Sequence, residues 1–234
     1  MMKKMMVSGA LLSLVFVSCT DFFTTSWGRW AARDPANLIP KVTAGNVQEL
    51  IEMAENNPDL SLEVLKGIGK SVGGASGKDK TDLQNAAITA ALNASDLTNA
   101  LMNSGSNMSS MEDPAKVKDS MLNTLNGLGN LTPAADNLAA ILPGPADGAA
   151  FDAFAATASA DDLAMAAALI MAGEAKKSGD PNGYVSGYIR GSSPLAEALA
   201  AKAAEKYADG SGDNSVLKDL LDELGLTPAP APQP

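Results

Sequence analysis

The chain of 234 residues contains no histidine, and it has a single cysteine. Without imidazole there is no His-based acid–base chemistry, no Ser-His-Asp triad and no Cys-His pair. A lone thiol excludes both a disulfide within the chain and a thiolate metal cluster. Aromatic residues are scarce at 4%, which argues against a β-sandwich built on aromatic and β-branched side chains. Positive charge is also short: 17 Lys and Arg stand against 27 Asp and Glu, a formal charge of −10. Such a surface repels phosphate backbones and anionic headgroups, so neither nucleic acid nor nucleotide is an expected partner.

What is present begins with the amino terminus. Lys3 and Lys4 precede Val7–Val17, an apolar run broken only by small residues and followed at once by Ser18-Cys19. That order of basic, apolar and small residues is a secretory signal, and the run is too short to span a bilayer, which takes about 20 residues. Phe16-Val17-Ser18-Cys19 resembles the lipobox of bacterial lipoproteins, in particular the looser lipoboxes of spirochaetes; Phe16 stands where leucine is usual. The resemblance covers about 20 residues and implies cleavage before Cys19 with lipid attached to its sulfur. Removing residues 1–18 takes two lysines and no acid, leaving 15 basic against 27 acidic side chains, or −12. The membrane contact expected is therefore the covalent lipid alone, with no cofactor.

Residues 19–45 form an aromatic-rich linker with Phe22, Phe23, Trp27 and Trp30 beside Arg29 and Arg33. Trp27 and Trp30 are candidate contacts for a partner or the lipid interface, where tryptophan is at home. Packing of these rings onto the first helices is the competing expectation.

Residues 46–226 read as helix throughout. Val47, Leu50, Ile51 and Ala54 follow the i, i+3, i+4, i+7 stripe, with Asn46 as a cap and Asn56 as the end. A helix starts at Pro58, and the glycine-rich run Gly67–Asp79 reads as a connection before a helix opened by Thr81 or Asp82. Further helices are expected at Ser95–Met102, from Asp113-Pro114 to Leu125, from Thr132-Pro133 to before Pro143, over Gly148–Ala158 and over Ser159–Lys177. Pro181–Arg190, Leu195–Tyr207 and Ser215–Leu224 follow. Residues 227–234, TPAPAPQP, make a solvated proline-rich tail. The fold expected is all-α, about ten short helices stacked as hairpins in the manner of tetratricopeptide or other α-solenoid repeats, or gathered into an irregular bundle.

Motifs that suggest chemistry lack essential parts. Gly69-Lys70-Ser71 ends like a phosphate loop, but Val64 occupies the position of its first glycine. The oxygen-rich run from Asp209 to Ser215 lacks the glycine and glutamate of a calcium loop, with Asn214 and Leu220 in their places. Asp161 and Asp162 suit the helix dipole at a helix start. The methionines are core fillers by composition. Tyr184, Tyr188 and Arg190 are left: two tyrosines one helical turn apart beside an arginine can line a site for an anionic or planar ligand. Core packing with the hydroxyls at the edge is the simpler account of them.

The function expected is that of a membrane-anchored lipoprotein facing the periplasm or cell surface. It serves other envelope proteins as a scaffold or as an accessory to transport or assembly, and is not an enzyme. A carrier with an apolar cavity between helices is the first alternative, and a carboxylate-dependent hydrolase a remote one.

Overall fold

The computed structural model describes residues 39–100, 124 and 127–210. The expected helix near residues 215–224, the tail, residues 19–38 of the linker and all but residue 124 of the helix near 114–125 lie outside the described residues. Two compact units are distinguished, Met1–Pro40 and Lys41–Pro234, and the helices below belong to the second. Among the described residues the chain is all-α, with no strand.

Helix α1 (Val47–Ala54) buries Val47, Leu50, Ile51 and Ala54, the expected stripe. Asn46 precedes it, but its side chain does not cap it. Its amide oxygen instead accepts from the Thr43 backbone N–H at 2.7 Å, and its Nδ2 donates to the Lys41 carbonyl at 3.0 Å. The asparagine therefore ties down the incoming chain. Helix α1 ends two residues earlier than expected. Its last carbonyl, Ala54, accepts from the Asn57 N–H at 2.8 Å and the Ser61 hydroxyl at 2.9 Å, both on the way into the next helix.

Helix α2 (Pro58–Val72) opens with proline at the first position and the Asn57 side chain accepting from the Leu60 N–H at 3.1 Å. It runs straight through Gly67–Val72, which composition assigns to a connection. Burial explains the difference. Ile68 and Val72, four apart, are both in the core, and their apolar burial of about 1.5–3 kcal/mol each exceeds the helix penalty of about 1 kcal/mol per glycine. The phosphate-loop-like residues 67–71 are thus turns of helix. Helix α3 (Gly77–Ser95) starts four residues before the expected Thr81, the connection shrinking to residues 73–76. It stops where Asp96 takes a left-handed conformation, φ 56°, one that aspartate tolerates better than most side chains. Residues 97–100 are helical again.

Helix α4 (Leu131–Ile141) begins one residue before Thr132, so Asn130 is the residue at its cap and Pro133 sits inside the first turn. There the missing N–H has no intrahelical partner to lose. Helices α5 (Gly148–Thr157), α6 (Ala160–Lys177), α7 (Pro181–Ser186) and α8 (Pro194–Ala208) complete the described body. Ser159 caps α6 as expected, its hydroxyl accepting from the Asp162 N–H at 3.0 Å. At the far end of α5, Lys206 donates to the Ala158 carbonyl at 2.7 Å and the Ala156 carbonyl at 3.2 Å.

Helix α6 is the centre of the unit. Thirteen of its 18 residues are buried, and Leu163–Gly173 carries no charge and almost no polar atom, the pattern of a helix enclosed on all sides. It packs against α3, α4, α7 and α8, while α3 also packs against α1, α2, α4 and α5. Helices distant in sequence thus share one core. That is the arrangement of an irregular bundle, whereas a linear stack joins each unit only to its neighbours.

Alanine and glycine set the helix spacing. At Gly173 on α6 an added Cβ would collide with the Ala135 side chain on α4. At Gly69 on α2 it would meet Ile141 Cγ1 at 3.5 Å, an ordinary contact. Opposite outcomes follow from one chemical change. Gly69→Ala should stabilise the bundle by about 0.5–1 kcal/mol through helix propensity. Gly173→Ala should destabilise it by about 1–2 kcal/mol, overpacking exceeding that gain. Urea denaturation of the two variants is the check, and a stabilised Gly173→Ala would mean that α4 and α6 are not in close contact.

Candidate functional site

Of the residues singled out in the sequence, Cys19, Trp27 and Trp30 lie outside the described residues. Tyr184, Tyr188 and Arg190 lie within them. The helix expected over Pro181–Arg190 is shorter: α7 ends at Ser186, so Tyr188 is not one helical turn from Tyr184 on a shared face. Two glycines are the cause. Gly183 and Gly187 weaken a short helix, and the Gly187 N–H closes its last bond to the Gly183 carbonyl at 2.9 Å. The start is better defined, with Pro181 in the first turn and the Asp180 carboxylate accepting from the Gly183 N–H at 2.9 Å.

The two rings nevertheless meet, with centroids 6.1 Å apart and planes inclined by 54°, a geometry favoured by aromatic quadrupoles. Their hydroxyls point to carboxylates that sequence reading did not select. Tyr184 donates to Glu174 Oε2 at 2.7 Å, and Tyr188 donates to Glu197 Oε1 at 2.5 Å. Glu174 is near the end of α6, and its other oxygen accepts from the buried Ser193 hydroxyl at 3.1 Å. Glu197 is in the first turn of α8 and also accepts from the Gly191 N–H at 2.6 Å. The cluster joins the end of α6, the short α7, the connection after it and the start of α8.

The electrostatics follow from these contacts. Burial, and then the hydrogen bond to Glu174, hold the Tyr184 phenol well above the ordinary value of 10.0. Burial and the bond to Glu197 do the same for Tyr188. For Glu197, burial alone would raise the pKa. Donation from the Tyr188 hydroxyl and the Gly191 and Ser193 N–H groups, with the charge of Arg190, brings it below the usual carboxylate value. Phenols so held stay protonated at neutral pH, and Glu197 stays ionised. Neither side of the Tyr188–Glu197 pair is poised near neutrality as an acid–base catalyst must be. Arg190 lends its positive charge to Glu197.

Tyr207 repeats the pattern. It donates to Asp161 at 2.6 Å and joins α8 to the start of α6, so Asp161 does more than complement the helix dipole. Every tyrosine of the sequence is in this way bonded to a carboxylate. The signal in the sequence is slight: Tyr184 is 10 residues from Glu174, Tyr188 is 9 from Glu197, and Tyr207 is 46 from Asp161. None of these spacings belongs to a regular helix face. Among the described residues no group of three or more His, Cys, Asp or Glu residues is placed to hold a metal ion, and no helix is long and apolar enough to cross a membrane. No protein-family model, no curated protein and no solved structure matches the chain.

Proposed function

We propose that this protein is a lipid-anchored component of the bacterial cell envelope whose helical body acts by binding other envelope proteins. The observation that carries the reading is the segment Phe16-Val17-Ser18-Cys19, placed directly after a basic and apolar leader and ending at the only cysteine. A thiol used once, at that place, suits lipid attachment and leaves none for redox or metal chemistry. The candidate site adds a second support. Its hydroxyls and carboxylates are engaged with one another, as joints between helices, and Tyr184, Tyr188 and Glu197 are shifted away from neutrality. An acidic helical body on a lipid tether is suited to contacts with proteins, since its charge disfavours anionic lipid and nucleic acid.

In-cell cross-linking of the full chain, followed by identification of covalently captured proteins, tests the reading. The expected result is a recurrent membrane-associated partner, recovered at wild-type level and lost when Cys19→Ala frees the protein from the membrane fraction. Co-extraction of a lipid or metabolite with no protein partner would contradict it and point to the carrier.

A further inference from the structure

A 17-residue stretch interrupts the core. Between Ala175 on α6 and Ser193 before α8, no residue whose burial is described lies in the interior. The stretch contains α7, six residues long, well below the length at which a helix holds itself together in water, about 12–15 residues. A glycine at positive φ stands at each end, Gly179 at 76° and Gly191 at 93°. Two residues before the second of these is Ile189, 73% exposed, the one large apolar side chain so displayed among the described residues. Apolar burial therefore fastens this segment only weakly, through the half-buried Tyr184, Val185 and Tyr188. Polar bonds add to this, among them Tyr184 to Glu174, Tyr188 to Glu197, and the Gly191 N–H to Glu197.

We propose that residues 179–191 form a strap that swings away from the bundle as one unit, turning at Gly179 and Gly191, with the two tyrosine–glutamate bonds as its catches. Local opening of this kind is drawn from the least buried parts of a fold. The elements on either side stay in place because their anchors are independent of the strap. Helix α6 is enclosed by α3, α4 and α8, and α8 buries Ala196, Leu199, Ala200 and Ala203. Opening uncovers the carboxylates of Glu174 and Glu197, so the closed and open states present different surfaces.

Native-state hydrogen exchange on the full chain tests this. Once off the bundle a helix of six residues does not hold itself together, so the Tyr184 and Gly187 amides, bonded to the Asp180 and Gly183 carbonyls, should exchange at least ~100-fold faster than those of Leu169 and Met171, and without dependence on low urea. Replacing both tyrosines, Tyr184→Phe with Tyr188→Phe, keeps the rings and removes the catches. Strap exchange should then quicken by a further factor of about 10 or more, while α6 exchange stays unchanged. Three results would overturn the proposal: strap amides that exchange at the α6 rate with its urea dependence, a double variant with unaltered strap exchange, or one that fails to fold. The last would mean that the tyrosines hold the bundle itself.

Discussion

Leu169→Ala should cost the bundle about 3–4 kcal/mol, at the level of the larger core truncations known. Leu169 is fully buried in the middle of α6. The cost of a cavity depends on how far its walls can close. Here they belong to a helix packed against α3, α4, α7 and α8, and many of its own neighbours are alanines with no length to spare. No single helix can move in to fill the gap without leaving another. Urea denaturation should show a lower midpoint with an unchanged slope, since the surface exposed on unfolding is the same. The matching control is Ile189→Ala, a truncation of equal chemistry at an exposed place, expected within about 0.5 kcal/mol of the parent. Similar losses at both positions would mean that α6 is not the centre of the core.

Raising the pH should produce the second large effect. An unfolded chain gives up its tyrosine protons near 10.0, whereas all three folded tyrosines hold theirs to higher pH, through burial and donation to a carboxylate. Below about pH 10 both states are protonated, and the contribution to stability is complete. Above it the unfolded chain binds fewer protons than the folded one, so stability falls as pH rises. The slope is bounded by three protons, and partial exposure of the rings keeps it below that bound. Lys202, raised by its hydrogen bond to Glu205, acts in the same direction. Phenolate absorbance and loss of helical circular dichroism should therefore appear together, in one transition. Phenolate appearing near pH 10 with the helices intact would show that the tyrosine–carboxylate bonds are absent in solution. At the acid end the sign reverses for Glu197. Its contribution is present above the ordinary carboxylate value of 4.5 and is lost as pH falls through its lower folded value.

The local rules of the sequence recover much of this fold. The stripe Val47, Leu50, Ile51, Ala54 names the buried face of α1, and Ser159 followed by two aspartates marks the start of α6. Such features depend on residues within a turn of each other. What escapes is decided at a distance. Gly67–Val72 looks like a loop until Ile141 is known to lie 3.5 Å from where a Cβ on Gly69 would stand. Asn46 looks like a cap until Thr43 and Lys41 turn back to it. The same holds at the candidate site. The sequence singles out the tyrosines by rarity, yet Glu174, Glu197 and Asp161 look like any other surface acids. Only the turn after α6, which brings α7 and the start of α8 back over its end, makes partners of Glu174 and Glu197, and only the return of α8 toward the start of α6 brings Tyr207 to Asp161. The charge-free run Leu163–Gly173 was the one long-range clue within reach: a helix with no polar face has nowhere to sit but the middle.

The proposed anchoring of this body to a lipid surface is tested most directly by the intact mass of the protein isolated from its native source. The account predicts a chain that begins at Cys19 and carries acyl groups on that residue. A chain that still holds residues 1–18, or one that begins at Cys19 with a bare thiol, would contradict it.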